Sequence, residues 1–172
     1  MAYQYELVLF DLDGTLTDSG LGIMNSVQYA LKKIDRGAEN LEELKCFVGP
    51  PLAQQFAKFC GFSDEKGHQM VEFYREYYEE KGMLENSVYD GIPEVLEQLK
   101  NAGIRLAVAT SKPEKYARKI AEHFKIAPYF EFIGGANMDG SRTKKAEVIE
   151  YVLKNCKVCL LYTSPSPRDK RQ

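Results

Sequence analysis

Long apolar runs are missing from this chain. The only one near the amino terminus, Leu7 to Phe10, is far too short for a secretory signal or a membrane span, and acidic Glu6 precedes it. No membrane partner is expected, and the cytoplasm is the default compartment. A basic surplus is missing too. The 23 Lys and Arg face 25 Asp and Glu, a formal net charge of -2 with a pI near 5.8. That balance argues against general nucleic-acid binding, while a local basic pocket for one phosphate is still permitted. Histidine is reduced to His68 and His123, both in helical patterns without a neighbouring ligand cluster, so surface or helix-end positions are expected. Of the four cysteines, Cys46 and Cys60 fall in expected helices far apart. Cys156 and Cys159 form a lone C-x-x-C that lacks the further ligands of a zinc site and the context of a redox motif.

What is present describes a globular protein. With 172 residues, 44% hydrophobic and 28% charged, the chain can bury a sizeable core as one domain, or as a core plus a smaller insertion. After Leu7–Phe10, a strand by its apolar run, Ile23, Val27, Leu31 and Ile34 recur at helical spacing and Gly37 marks a stop. Asn40 can cap a short helix through Leu44 to Phe47. The turn Gly49-Pro50-Pro51 precedes a helix with Leu52, Phe56 and Phe59 that Gly61 closes. Ser63 opens a longer one carrying Met70, Phe73, Tyr74, Tyr77 and Tyr78, ending near Gly82. Residues 17–87 thus read as all helical.

From Tyr89 the pattern alternates. Gly91 and Pro93 start a helix with Ile92, Val95, Leu96 and Leu99 on one face, and Gly103 stops it. Ile104 to Ala109 is a strand of the kind buried in a parallel sheet. Ser111-Lys112-Pro113-Glu114 fits a capping box, which would start the next helix directly after that strand. Phe130 to Ile133 reads as a short strand before Gly134-Gly135, Arg142 to Asn155 as a helix, and Lys157 to Tyr162 as a last strand. The expected fold is α/β, a doubly wound parallel sheet with a Rossmann-like core and an inserted all-helical domain. The expected boundaries are 1–16 and 88–162 for the core, 17–87 for the insertion and 158–172 for a non-native or disordered tail.

The chemistry concentrates in LVLFDLDGTLTDS, Leu7 to Ser19. Asp11 and Asp13 stand two apart, so if extended geometry persists both carboxylates crowd one volume. Such a pair either keeps a proton or takes a cation between its members. Gly14 permits a tight turn and Thr15 offers a hydroxyl. Thr110, in A-V-A-T-S-K, places a hydroxyl at the carboxyl end of a parallel strand beside an expected helix start at Ser111, a natural anion site.

F-D-L-D-G-T-L-T-D-S resembles the first motif of the haloacid dehalogenase-like hydrolases, in the phosphatase form with a second aspartate. The helical block, with V-G-P-P-L and V-Y-D-G-I-P-E, is similar to the cap of the phosphoglycolate phosphatase-like branch. The resemblance covers Tyr5 to about Lys154. It implies a phosphatase acting on a small phosphorylated metabolite, with Asp11 as nucleophile and Asp13 as acid and base. It also implies Mg2+ held by Asp11 and the backbone carbonyl of Asp13, a phosphate contact from Thr110 and a balancing lysine. S-R-T-K-K-A-E-V-I offers Lys144 or Lys145 for that lysine, with Lys145 preferred because it directly precedes A-E-V-I. Thr15, Ser111 and Gly49 are the candidate substrate contacts, while Lys58, Tyr74 and Arg75 are polar residues of the cap that fit core or solvent roles better. Nucleoside monophosphates, a sugar phosphomutase reaction and a catalytically impaired phosphate-binding module are the alternatives. A dehalogenase is disfavoured because it has no need of the second aspartate.

The family's last acidic motif should follow the helix that ends near Asn155. The chain reads K-V-C-L-L-Y-T-S-P-S-P-R-D-K-R-Q there, and no acid follows the expected strand directly. L-L-Y-T-S-P-S-P-R-D resembles translated sequencing-adapter read-through, so a truncated reading frame is expected. The oligomeric state is left open.

Overall fold

A computed structural model describes residues 5–139 and 141–158. In chain order, β1 (Leu7–Phe10) runs through a tight loop into the two-residue strand β2 (Thr17–Asp18). Helix α1 (Gly20–Lys32), a 3-10 helix (Leu41–Phe47), α2 (Leu52–Cys60) and α3 (Asp64–Tyr77) follow, and a π turn (Tyr78–Gly82) extends α3. Strand β3 (Ser87–Val88) returns antiparallel to β2. Then come α4 (Ile92–Asn101), β4 (Arg105–Pro113), α5 (Glu114–His123), β5 (Phe132–Ala136) and α6 (Lys145–Asn155).

β1, β4 and β5 form a parallel sheet with β4 central. Alternate residues of β4 enter opposite cores, because successive side chains of a strand point to opposite faces. Leu106 and Val108 join Tyr116, Ala117 and Ile120 of α5, whereas Ala107 and Ala109 pack with Val148, Val152 and Cys156 on the α6 side. Helices therefore cover both faces, as expected for a doubly wound α/β sheet. Gly134 and Gly135 lie inside β5, not in a turn after it. A Cβ on Gly134 would collide with the Val152 side chain, and one on Gly135 with the backbone of Lys112 and Glu114. Close approach by α6 and by the start of α5 demands both glycines.

The region between β2 and β3 is helical, and its Val27, Leu31, Leu44, Phe47, Phe56 and Met70 are buried in one apolar cluster with Leu106, Val108 and Tyr116. Asn40 caps the 3-10 helix through the Glu42 amide, the Ser63 hydroxyl accepts from the Lys66 amide, and left-handed Gly61 ends α2. The expectation of an all-helical stretch 17–87 is corrected at both ends. Thr17 pairs with Val88 and Asp18 with Ser87, so the chain leaves the sheet and returns to it through one small ribbon. Helix α3 does not run unbroken to Gly82 either. Its last residues widen into the π turn where α1 presses against it: the Gly22 amide donates to Glu85 O at 3.0 Å, and the Ser26 hydroxyl donates to Gly22 O at 2.6 Å.

Three further boundaries differ from expectation. Strand β4 continues through Thr110, Ser111 and Lys112 to Pro113, because a bulge after Ala109 lets it pair again at Pro113 with Ala136. Ser111 is consequently an exposed strand residue and not a helix cap, and α5 starts without a side-chain cap. Helix α6 begins at Lys145 because Arg142 is left-handed (φ 49°), with its guanidinium donating to Gly135 O at 2.9 Å and to Asn137 Oδ1 at 2.8 Å. Val95 of α4 is exposed, leaving Leu96 as that helix's fully buried residue. Of the expected final strand, Lys157 is left-handed and Val158 is outside any strand. Residues 159–162, Cys159 and the remainder of the expected tail lie outside the described residues.

A Cβ on Gly22 would run into the carbonyl oxygen of Gly82, and one on Gly82 into the Ser26 hydroxyl. Gly22→Ala is expected to cost about 1–3 kcal/mol, since backbone must move to admit the methyl group. Gly37→Ala, whose Cβ meets the flexible Lys32 side chain, should stay within about 0.5 kcal/mol of the parent. Urea unfolding of the two variants measures the difference.

Candidate active site

Register places the site. Phe10 pairs with Val108, so Asp11 leaves the end of β1 level with Ala109, immediately before Thr110 at 1% exposure. The loop that follows is tied by backbone bonds: the amides of Leu16 and Thr17 donate to Leu12 O at 2.9 and 3.0 Å, and the Gly14 amide donates to Thr17 O at 2.8 Å. Gly14 is left-handed at φ 73°, which suits glycine. Leu12 and Leu16 are buried and anchor the loop from below, while Thr15 stands exposed at its tip.

The two carboxylates do not share one cation. Asp11 Oδ2 pairs with Lys145 Nζ at 2.7 Å, and its Oδ1 accepts the Leu12 amide at 2.8 Å. Lys145 Nζ also donates to Ala109 O at 2.6 Å, so the first residue of α6 bridges the ends of β1 and β4. Lys144, its exposed neighbour, makes no side-chain contact with Asp11. The Asp11 and Lys145 side chains are 43% and 40% exposed, open to an incoming anion.

Asp13 has a different partner, which motif reading passed over. Lys112 Nζ lies 3.1 Å from Asp13 Oδ1, off the hydrogen-bonding direction, and that oxygen is buried without a hydrogen bond among the described residues. Lys112 donates to the Tyr78 hydroxyl at 2.6 Å. Burial works against the Lys112 ammonium, but Tyr78 and Asp13 outweigh it and hold its pKa above the ordinary lysine value. Burial pushes the Tyr78 phenol up, with Lys112 opposing, so at neutral pH Tyr78 is a neutral acceptor. Lys112 was visible in A-V-A-T-S-K only as a residue after the hydroxyl pair. Its partner Tyr78 comes from a different helix, and no local pattern announces it.

Thr110 Oγ1 accepts the Lys112 amide at 3.2 Å, and Thr110 directly follows Ala109, whose carbonyl holds the Lys145 ammonium. Asp11, Asp13, Thr110 and Lys145 are thereby gathered at the carboxyl ends of adjacent parallel strands, where open α/β sheets bind ligands. Ser111 is exposed next to them. Gly49 is not joined to this group by any hydrogen bond among the described residues: it lies exposed and left-handed (φ 109°) in the link between the 3-10 helix and α2. Tyr74 is buried against Tyr78 with ring centroids 5.2 Å apart, Arg75 pairs with Glu72, and Lys58 is exposed. Behind Lys145, Glu114 ties the start of α5 to Arg118 at 3.0 Å and to Arg142 at 3.4 Å, a bracket for the loop before α6 that spacing did not reveal.

The donor set is hard oxygen. No cluster of three or more His, Cys, Asp or Glu able to hold a metal occurs among the described residues. Asp11, half exposed, and the loop carrying Asp13 nonetheless fit an ion that keeps several waters and is bound through one or two carboxylates and a substrate phosphate. Cys156 is no candidate ligand, since burial pushes its thiol up to about 12. No helix among the described residues is long and apolar enough to cross a membrane.

The chain is 47% identical over 152 residues to a 5'-nucleotidase of Pseudomonas aeruginosa, covering 88% of this chain and 69% of that protein. It is 43% identical over 148 residues to the tyrosine-protein kinase PtkA of Mycobacterium tuberculosis, and 30% identical over 136 residues to a phosphoglycolate phosphatase of Aquifex aeolicus. Those matches cover 86% and 79% of this chain but only 50% and 63% of the two proteins, so the chain spans between half and about two thirds of these relatives' length. The crystal structure of a predicted phosphatase from Clostridium acetobutylicum superposes with a TM-score of 0.84 at 47% identity, covering 90% of this chain and 71% of that one. The family model for haloacid dehalogenase-like hydrolases matches residues 8–159, from β1 past the end of α6, and with the fold and these relatives it shows that the chain belongs to that family.

Proposed function

We propose that this chain carries the catalytic centre of a cytoplasmic phosphatase that cleaves small phosphate monoesters through an aspartyl-phosphate. One observation carries the reading: Asp11 at the end of β1 is paired at 2.7 Å with Lys145, whose ammonium also holds Ala109 O beside buried Thr110. A half-exposed carboxylate backed by an ammonium and flanked by a hydroxyl is arranged to receive a phosphoryl group. The Asp11 carboxylate attacks phosphorus while the ester oxygen departs with a proton from Asp13. Water then attacks the acyl phosphate and gives its proton to Asp13, releasing phosphate and restoring Asp11. Lys145 and Thr110 bind the phosphoryl oxygens in both steps, placing fixed donors where charge develops. Mg2+, held by Asp11 and the Asp13 backbone carbonyl, would supply charge neutralisation between carboxylates and phosphate. Residues 17–87 act as the cap over the residues of the core, excluding water and bearing specificity.

The substrate class is the second question. A relative at 47% identity bears the name 5'-nucleotidase, whereas the phosphoglycolate phosphatase matches at 30%. That difference favours a nucleoside monophosphate over phosphoglycolate. Phosphate release from a panel containing both, a hexose phosphate and an aryl phosphate decides between them, and preference for phosphoglycolate would reverse the assignment.

Asp11→Asn should abolish phosphate release and phosphoenzyme trapping. Asp13→Asn should lose about 10²–10⁴-fold with an alkyl ester, and much less with an aryl ester whose leaving group needs little protonation. Full activity in Asp11→Asn would remove it as the nucleophile. Lys145→Ala should lower turnover by about 10²–10³-fold, the range for one lost electrostatic donor, while Lys144→Ala leaves it nearly unchanged. Steady-state hydrolysis of the aryl ester compares the two lysines, and equal small effects would move the charge-balancing role elsewhere.

A further inference from the structure

We propose that Lys112 is a positioning residue that links the seating of the helical block on the sheet to the placement of the Asp13 carboxylate. The inference rests on the assignment of Asp13 as acid and base, and adds a way of controlling it.

The Lys112 side chain is only 7% exposed, and its ammonium has one partner in each part of the molecule. Asp13 Oδ1, at 3.1 Å, belongs to the loop after β1, and the Tyr78 hydroxyl, at 2.6 Å, belongs to the π turn at the end of α3. The ammonium also lies over the Tyr78 ring, 5.0 Å from its centroid. A buried charge is tolerated when paired, and removing one partner leaves it uncompensated at a large cost. The three groups consequently act as a unit. Tyr78 is itself fixed, stacked on Tyr74 and meeting Tyr116 of α5 edge-on at 5.3 Å.

A second clasp lies alongside. Glu79, the next residue of the turn, accepts from the Tyr116 hydroxyl at 2.7 Å and from Lys115 Nζ at 3.0 Å. Its ion pair with Lys115 is about half exposed on both sides and water screens it, whereas the Lys112 side chain and Asp13 Oδ1 are buried. When the turn is seated, Tyr78 and Asp13 hold the ammonium from two sides and the carboxylate has one position. When the turn lifts, Lys112 loses its acceptor and can swing, and Asp13 is no longer held where a leaving oxygen could take its proton. Leaving-group protonation is thereby confined to the seated state.

Two measurements on the 172-residue chain test this. Tyr78→Phe keeps the ring and removes only the acceptor, and Lys112→Met keeps the length and removes the charge. Both should depress hydrolysis of an alkyl phosphate more than that of p-nitrophenyl phosphate, in the same sense as Asp13→Asn. Asp13→Asn and Lys112→Met should each speed amide hydrogen exchange at Tyr78–Gly82 about tenfold, because the buried clasp is broken. Lys33→Ala, which removes an exposed ion pair to Glu76 on the same helix, should change neither readout. Unchanged exchange at the turn overturns the proposal. So does equal loss on both esters in Tyr78→Phe and Lys112→Met while Asp13→Asn discriminates between them. If Asp13→Asn itself fails to discriminate, the acid assignment falls, and the exchange result alone decides whether the link exists.

Discussion

Two carboxylates two residues apart resist being ionised together, and this molecule sets a different lysine beside each. Lys145 comes from the start of α6 to Asp11 at 2.7 Å, and Lys112 from the end of β4 to Asp13 at 3.1 Å. Everything that fixes those two lysines is needed to keep the pair apart in role. The parallel register of β1 on β4 sets Asp11 beside Ala109. The bulge after Ala109 carries β4 on to Lys112. Gly134 and Gly135 let α6 and the start of α5 approach β5 closely enough for Lys145 to reach across. Electrostatic need and backbone geometry meet in a few residues at the carboxyl ends of two strands.

The unlike surroundings of the carboxylates suit unlike roles. Asp11 faces outward, about half exposed, with both oxygens held by donors. Asp13 is more enclosed, its Oδ1 buried next to an ammonium and a ring of phenols. An accessible, oriented carboxylate fits attack on phosphorus. One seated against buried neighbours fits the proposed proton transfer.

Much of this was legible in the chain. The apolar run ending in D-x-D-G-T marks β1 and its loop, β4 is an uninterrupted apolar stretch from Leu106 to Ala109, and the helices of the insertion carry their caps at Asn40, Ser63 and Gly61. Features missed share one cause, dependence on distant partners. Ser111-Lys112-Pro113-Glu114 has the composition of a helix start, and only pairing of Pro113 with Ala136 keeps it extended. Arg142 continues the helical pattern of α6, yet its contacts with Gly135 and Asn137 hold it left-handed. The ribbon of β2 and β3 is two residues on each side, too short for any periodicity. The role of Lys112 depends on Tyr78, a residue that helical spacing assigns to an ordinary buried face.

The placement of that ribbon has a mechanical consequence. Thr17 pairs with Val88 on the outgoing side and also closes the aspartate loop through its bridge to Asp13. The insertion therefore begins at the residue that completes the loop holding Asp13, and it ends in a strand bonded to the same residue. A close backbone approach between Gly22 and Gly82 joins the first turn of α1 to the last residue of the π turn, so both ends of the insertion are held against each other. Rotation of the block about the ribbon would strain the Asp13 loop first and reach Asp11 only through Leu12, which is buried and bonded to Leu16 and Thr17. Lys145 and Thr110, carried by α6 and β4, make no hydrogen bond or ion pair to the block among the described residues. Motion of the block would thus act on Asp13 first, while Asp11, Thr110 and Lys145 stay where the sheet puts them.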